Sequence, residues 1–396
     1  MKVVIGHSED IDSASAIEEA LAICKESLEG LVPQAGILYT AMDHDFQLIL
    51  DKIMAEYPHL ELIGCTTDGE LSSATGFAED SIVLILIQSD NVHFRAGIGD
   101  GVVENPAKAA KEAVAMAREN LDAPIKLCIT NPAGIGTYSP AVLEAIHESV
   151  GPNVPICGGL AGDQSRMETT YQFYKGTVYT NAVPVILFAG PLNVSVGVRS
   201  GWTPVGSAHR VTHAEGNIVY TIDDKPAKDL WVKYFGDVEN FNALLAHGIS
   251  VFPYEGQGET SNDATAAIRD SYFSAPSSFR DDGSIGVLTP IPSDVVVRFS
   301  DATRDDIVDS TASSITQAMT AYPGERPDAA LIFSCAGRRI LLGTRVTEEA
   351  RLLRDNIGEG IPFAGFYTYG EFCPLQSSMI PQAHGGTFVT VLLGES

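Results

Sequence analysis

Two stretches near the C-terminal end gather the side chains best suited to chemistry. Residues 333–339 (FSCAGRR) bring Cys335 and Arg338 to the end of one apolar run, and residues 362–371 (PFAGFYTYGE) bring Thr368, Tyr369 and Glu371 to the end of another. A guanidinium grips a carboxylate through two parallel hydrogen bonds, and a nearby carboxylate holds an ammonium. Together Arg338 and Glu371 suit a zwitterion such as an amino acid, with Thr368 supplying a hydroxyl. The same spacing also suits an Arg338–Glu371 ion pair that ties two loops together.

The second stretch has two earlier echoes, residues 61–70 (ELIGCTTDGE) and 155–163 (PICGGLAGD). In each, an apolar run reaches a glycine, and a second glycine four or five residues on is followed by an acid. The echoes add Thr66, Thr67, Asp68, Glu70 and Asp163 to the candidate ligand-binding set of Arg338, Glu371, Thr368, Cys335 and Tyr369. The acids have a plainer use as turn residues that accept backbone N–H groups. Trp202 reads either as a ligand platform or as a core anchor. No metal site, cofactor motif or catalytic residue is expected. The six cysteines stand apart in apolar text and read as reduced, mostly buried thiols.

Three echoes imply internal duplication. Each leads into an apolar strand, at residues 81–87, 182–188 and 386–393. Upstream, apolar residues alternate between strand-like runs and helical spacing. The first copy reads as strand 2–8, helix 14–30, strand 35–41, helix 44–57 and strand 61–67. The second reads as strand 92–99, helix 106–120, strand 125–130, helix 139–150 and strand 155–159. The third reads as strand 294–300, helix 304–322, strand 329–335, helix 346–357 and strand 362–368. Between the second and third copies, strands 194–200, 207–214 and 218–222 read as a β-meander, followed by a helix over 226–234 and a strand-like island at 267–273. The fold class is α/β, with mixed sheets layered by helices and built from repeated β-α-β-α-β-β units. Loops at the carboxyl ends of strands are where such sheets place ligands. Residues 131–139 (NPAGIGTYS) are expected to share the wall with Cys335–Arg339.

Composition narrows the partners. The 396 residues are 45% hydrophobic, which suits a globular chain, and carry a net charge of −26. Such a surface repels phosphate backbones and anionic lipids, so nucleic acid and membrane insertion are not expected. The N-terminus shows no signal-peptide pattern, and a cytoplasmic location is expected.

Residues 61–71, 157–163, 200–206 (SGWTPVG), 211–217 and 219–227 resemble the N-terminal part of the FIST domain, named from F-box and intracellular signal transduction proteins. Residues 329–343, Glu348-Glu349 and residues 364–372 resemble its C-terminal part. The resemblance implies an N-terminal-like domain over 1–215 and a C-terminal-like domain over 216–396. It implies a sensory protein that binds a small ligand such as an amino acid and that signals through a partner such as a kinase or cyclase. The chain itself is expected to carry no output domain. It also implies that Arg338, Thr368 and Glu371 are pocket residues. The rival expectations are an enzyme using an acid-base or cysteine residue in the same pocket, and a protein-interaction scaffold.

Overall fold

The computed structural model describes residues 1–237, 244–252, 271–374 and 379–396. The first unit runs from strand Lys2–Ser8 through helix Ser13–Leu28, strand Ala35–Thr40, helix Phe46–Glu56 and strand Glu61–Thr66 to strand Ile82–Gln88. Its helices begin where a side chain caps them: Asp12 accepts the Ser15 N–H, and Asp45 accepts the Leu48 N–H. Only Ala35–Thr40 and Glu61–Thr66 pair in parallel; the remaining pairs are antiparallel, so the sheet is mixed as expected.

The second unit repeats this order from His93–Asp100 to Ala182–Ala189. The third differs from the sequence expectation at its first strand. Leu192–Arg199, read as meander, pairs along its whole length with Phe388–Glu395 and opens the third unit. Val296–Asp301, expected in that role, pairs instead with Thr203–Glu215 and His247–Phe252 in a fourth sheet. That sheet is an insertion between the third unit's first strand and its helix Arg304–Ala321. The expected division at 215/216 falls in the turn of the hairpin Thr203–Glu215/Ile218–Ile222. Of the expected island at 267–273, residues 267–270 lie outside the described residues, and Tyr272–Ser274 is a strand.

Each unit also gives a short hairpin to a neighbour. Glu70–Ser72/Gly76–Ala78 extends the third unit's sheet beside Phe363–Thr368. Gln172–Tyr174/Thr177–Tyr179 extends the first unit's sheet beside Glu61–Thr66, and Glu371–Pro374/Pro381–His384 extends the second unit's sheet beside Ile156–Gly159. This cyclic exchange locks the units together. Inner faces of all three sheets merge in one apolar core that includes Ile37, Ile85, Phe94, Ile129, Ile186, Phe333, Phe366 and Val391. Burial of this kind stabilises at roughly 25 cal/mol per Å². Helices cover the outer faces.

Candidate functional site

The third strands of the units end at a common hub. The Gly162 N–H donates to the Thr66 carbonyl at 2.9 Å, Tyr369 N–H to Leu160 at 3.3 Å, and Asp68 N–H to Tyr367 at 2.9 Å. One position fixes the register of the repeat. A Cβ on Gly64, Gly158 or Gly365 would lie 2.1, 2.0 or 1.8 Å from the carbonyl oxygen of Leu38, Thr130 or Ile332, so no larger residue fits there. Two residues further on, the N–H groups of Thr66, Leu160 and Tyr367 donate to the carbonyls of Tyr171, Gly370 and Gly69. The residues that follow these three acceptors, Gln172, Glu371 and Glu70, are therefore equivalent corner residues. Ala41, Ala133 and Cys335 are equivalent likewise, each donating its N–H to a carbonyl where a last strand begins: those of Ser81, Ala182 and Thr387.

Asp163, expected beside Glu70 and Glu371, lies instead in a loop that only the second unit has. Its carboxylate accepts the N–H groups of Met167, Glu168 and Thr169 at 3.0, 2.7 and 3.2 Å and the Tyr369 hydroxyl. It organises that loop, whose residues Gln164, Ser165 and Met167 all have positive φ.

The first-unit candidates are buried and engaged with one another. Thr67 and Ser81 hydroxyls donate to Glu70, Thr66 accepts the Tyr171 N–H at 3.0 Å, and Asp68 meets Arg339 at 2.8 Å. Burial pushes Glu70 up to about 8, against the opposing bonds from Ser81 and Thr67. Burial likewise raises Asp68, with the Arg339 charge opposing.

Arg338 is fully buried and faces inward. Its Nε and Nη2 bond Glu349 at 3.1 and 2.7 Å, Nη1 bonds the Ser200 carbonyl and Ser310, and Nη2 also bonds the Ile307 carbonyl and Thr311. Every guanidinium N–H is thereby committed. The ion pair is with Glu349, itself bonded by Thr311, Ser334 and Tyr367 hydroxyls. Arg338 does not reach the cavity described next.

A cavity of about 800 Å³ lies between the repeat body and the inserted sheet. The body contributes Leu160, Cys335, Thr368 and Tyr369, together with Gly134 and Gly136–Ser139 from the loop expected from sequence. The insertion contributes Trp202, Phe273, Leu288, Thr289 and Pro290. Trp202 stacks on Phe273 with centroids 4.5 Å apart, and its indole N–H donates to the Leu245 carbonyl at 3.1 Å. Among the described residues that line it, no side chain is an acid or a strong base. Thus Cys335, Thr368 and Tyr369 come together at the cavity, whereas Thr66, Thr67, Asp68, Glu70, Asp163 and Arg338 do not line it. The walls from Phe273, Leu245 and Leu288 had no sequence signal, because only the tertiary fold brings them to the body.

Glu371 stands just behind the cavity wall. One carboxyl oxygen accepts the Thr387 N–H and hydroxyl at 2.9 and 2.8 Å; Oε1 is buried without a hydrogen bond. Burial pushes Glu371 up to about 8. Cys335 is only half-buried, whereas the other five cysteines are buried.

Uncharacterized protein Rv0628c of Mycobacterium tuberculosis is 24% identical over 391 residues, covering 95% of this chain and 95% of its own. Uncharacterized protein Mb0898c of Mycobacterium bovis is 22% identical over 385 residues, again covering 95% of each. A crystal structure of cyanuric acid hydrolase from A. caulinodans aligns over 100% of this chain and 99% of that one, at 9% identity and a TM-score of 0.38. Among the described residues, no helix is long and apolar enough to cross a membrane. The FIST N domain matches residues 34–225 and the FIST C domain matches residues 229–374. With both matches in chain order and together spanning most of its length, this chain belongs to the FIST family, whose domains are associated with signal transduction and small-ligand sensing.

Proposed function

We propose that the protein is a small-molecule sensor whose ligand binds in the cavity between the repeat body and the inserted sheet. The observation that carries this reading is the cavity itself: about 800 Å³, walled from both sides, with a stacked aromatic pair and uncharged polar groups. Ligand sites of this size are mostly apolar with a few placed polar groups. The ligand of best fit has a flat or apolar face and neutral hydrogen-bonding groups. A free amino acid, the class implied by the sequence resemblance, would find no ionised side chain among the described lining residues to pair with its two charges. Occupancy would favour one arrangement of insertion and body, and a partner such as a kinase or cyclase would read the shift.

The test is a thermal-shift screen of neutral aromatic and heterocyclic compounds, small carbonyl compounds and the amino acids. A ligand at ~100 times its dissociation constant adds about 2.7 kcal/mol of stability. The expected result is a selective shift from an uncharged compound that disappears in Leu288→Glu. That side chain is exposed at 44%, so its replacement leaves the fold intact. Shifts from no compound would overturn the reading, and a hit unaffected by Leu288→Glu would move the site elsewhere.

A further inference from the structure

The three equivalent corners are filled differently, and only one opens on the cavity. At the first, Ala41 accompanies a Glu70 whose two oxygens each accept a hydroxyl. At the second, Ala133 accompanies Gln172, which accepts the Ala182 N–H and donates to Thr170. At the third, a thiol replaces alanine. Thr368, the counterpart of Thr67, turns its hydroxyl to the carbonyls of Leu160 and Gly370. Glu371 Oε1 therefore keeps no hydroxyl donor; Cys335 is its titratable neighbour, and burial followed by the Glu371 charge pushes that thiol up, so it stays protonated until a base takes the proton. Gly337 and Gly386 line the cavity beside Cys335. Gly386 has φ +68, and a Cβ there would lie 2.8 Å from both Phe273 and Trp202. The other groups facing Glu371 are Arg338, already paired with Glu349, and His384, its cross-strand partner, which burial holds neutral by lowering it to about 4.

We infer that Cys335 is a nucleophile that captures an uncharged, aldehyde-bearing ligand in this cavity, with Glu371 as the acceptor of the thiol proton. The inference rests on the cavity being the ligand site. In the step, the sulfur bonds the carbonyl carbon as the C=O π bond opens onto oxygen. The thiol proton passes to the Glu371 carboxylate and from there to the new alkoxide, giving a neutral hemithioacetal. No oxidant, reductant or co-reactant is consumed. A carboxyl with a value of about 8 is matched to accepting a proton near neutrality.

Iodoacetamide, an uncharged probe, tests this with the full-length protein and peptide mass mapping. Here the C–I bond breaks, iodide leaves, and the proton again goes to Glu371. The expected result is labelling of Cys335 ahead of the other five cysteines, at a rate that rises with pH through about 8, because only the ionised carboxyl accepts a proton. In Glu371→Gln the rate should fall on the order of 100-fold and lose that inflection. The fold tolerates an amide at this corner, since Gln172 occupies the equivalent one. Equal rates in wild type and Glu371→Gln, or labelling no faster at Cys335 than elsewhere, would overturn the inference. A thermal-shift hit retained in Cys335→Ala, the residue found at both sister positions, would leave the cavity reading standing and remove only the nucleophile.

Discussion

Glu70 and Glu371 occupy the same corner of the first and third repeat units and share a buried, upward-shifted carboxyl. Their surroundings diverge. Glu70 is saturated by Thr67 and Ser81 in a closed corner. Glu371 is half satisfied, beside a thiol, at the edge of a cavity. The second unit shows that the fold needs only a neutral hydrogen-bonding side chain there, since Gln172 suffices. Burial favours the protonated form of both carboxyls, and the oxygen without a hydroxyl donor is what the third unit adds. The three units share the turn; the loss of one hydroxyl donor and the presence of one sulfur distinguish the corner that faces the cavity.

The largest expected effect lies next to that corner. Arg338→Met should cost about 3–5 kcal/mol, because it leaves Glu349 buried without its cation. Urea denaturation measures it. A loss below ~1 kcal/mol would mean that Arg338 is not the clamp its contacts describe. Next, Thr67→Val makes the first corner resemble the third by removing one of Glu70's two hydroxyl donors. An orphaned buried acceptor costs about 1–3 kcal/mol, and Glu70 should then shift further upward, since that bond had opposed the effect of burial.

The divergence of the corners explains which parts of the molecule are legible in the sequence. Helices such as Pro106–Arg118 and strands such as Ala182–Ala189 announce themselves through local periodicity and capping residues. The repeated glycine before each corner is legible for the same reason. The hairpin exchange is not, because strands of three or four residues declare no partner, and Glu70–Ser72 pairs within the third unit's sheet rather than its own. Leu192–Arg199 reads as meander because about a hundred inserted residues separate it from the helix it serves, and adjacency along the chain is the only guide a sequence offers. Arg338 shows its charge but not its direction. Its partner Glu349 sits in the helix Thr347–Asn356, whereas the nearer strand end points to Glu371. Asp163 matches the motif by type while its loop carries it out of register with Gln172.

A more gradual effect, spread over several pH units, separates the two carboxyls from the amide. Between the ordinary value of 4.5 and the folded value of about 8, the folded protein holds a proton that the unfolded chain has released. Stability should therefore fall as pH rises through that window, by up to about 1.4 kcal/mol per pH unit for each carboxyl, and level off above it. Glu70→Gln and Glu371→Gln should each remove one share of the slope, and Gln172→Glu should add one. Melting temperatures from pH 5 to 9 read this directly. A slope unchanged in all three variants would mean that these corners titrate alike in the folded and unfolded states.

The finest test moves the sulfur. Ala41→Cys places a thiol beside Glu70 in the first unit, at the position equivalent to Cys335. Ala41 is buried, with 1% of its surface exposed, so the larger side chain should cost about 1 kcal/mol. Its thiol should resist iodoacetamide, because both Glu70 oxygens are engaged and neither residue lines the cavity at the third corner. If residue 41 were labelled as fast as Cys335, a thiol beside a buried carboxyl would be reactive at any corner of this fold. If it stays unlabelled until the protein unfolds, reactivity depends on what the third corner combines: a carboxyl oxygen without a hydroxyl donor, a neighbouring thiol, and an opening onto the cavity.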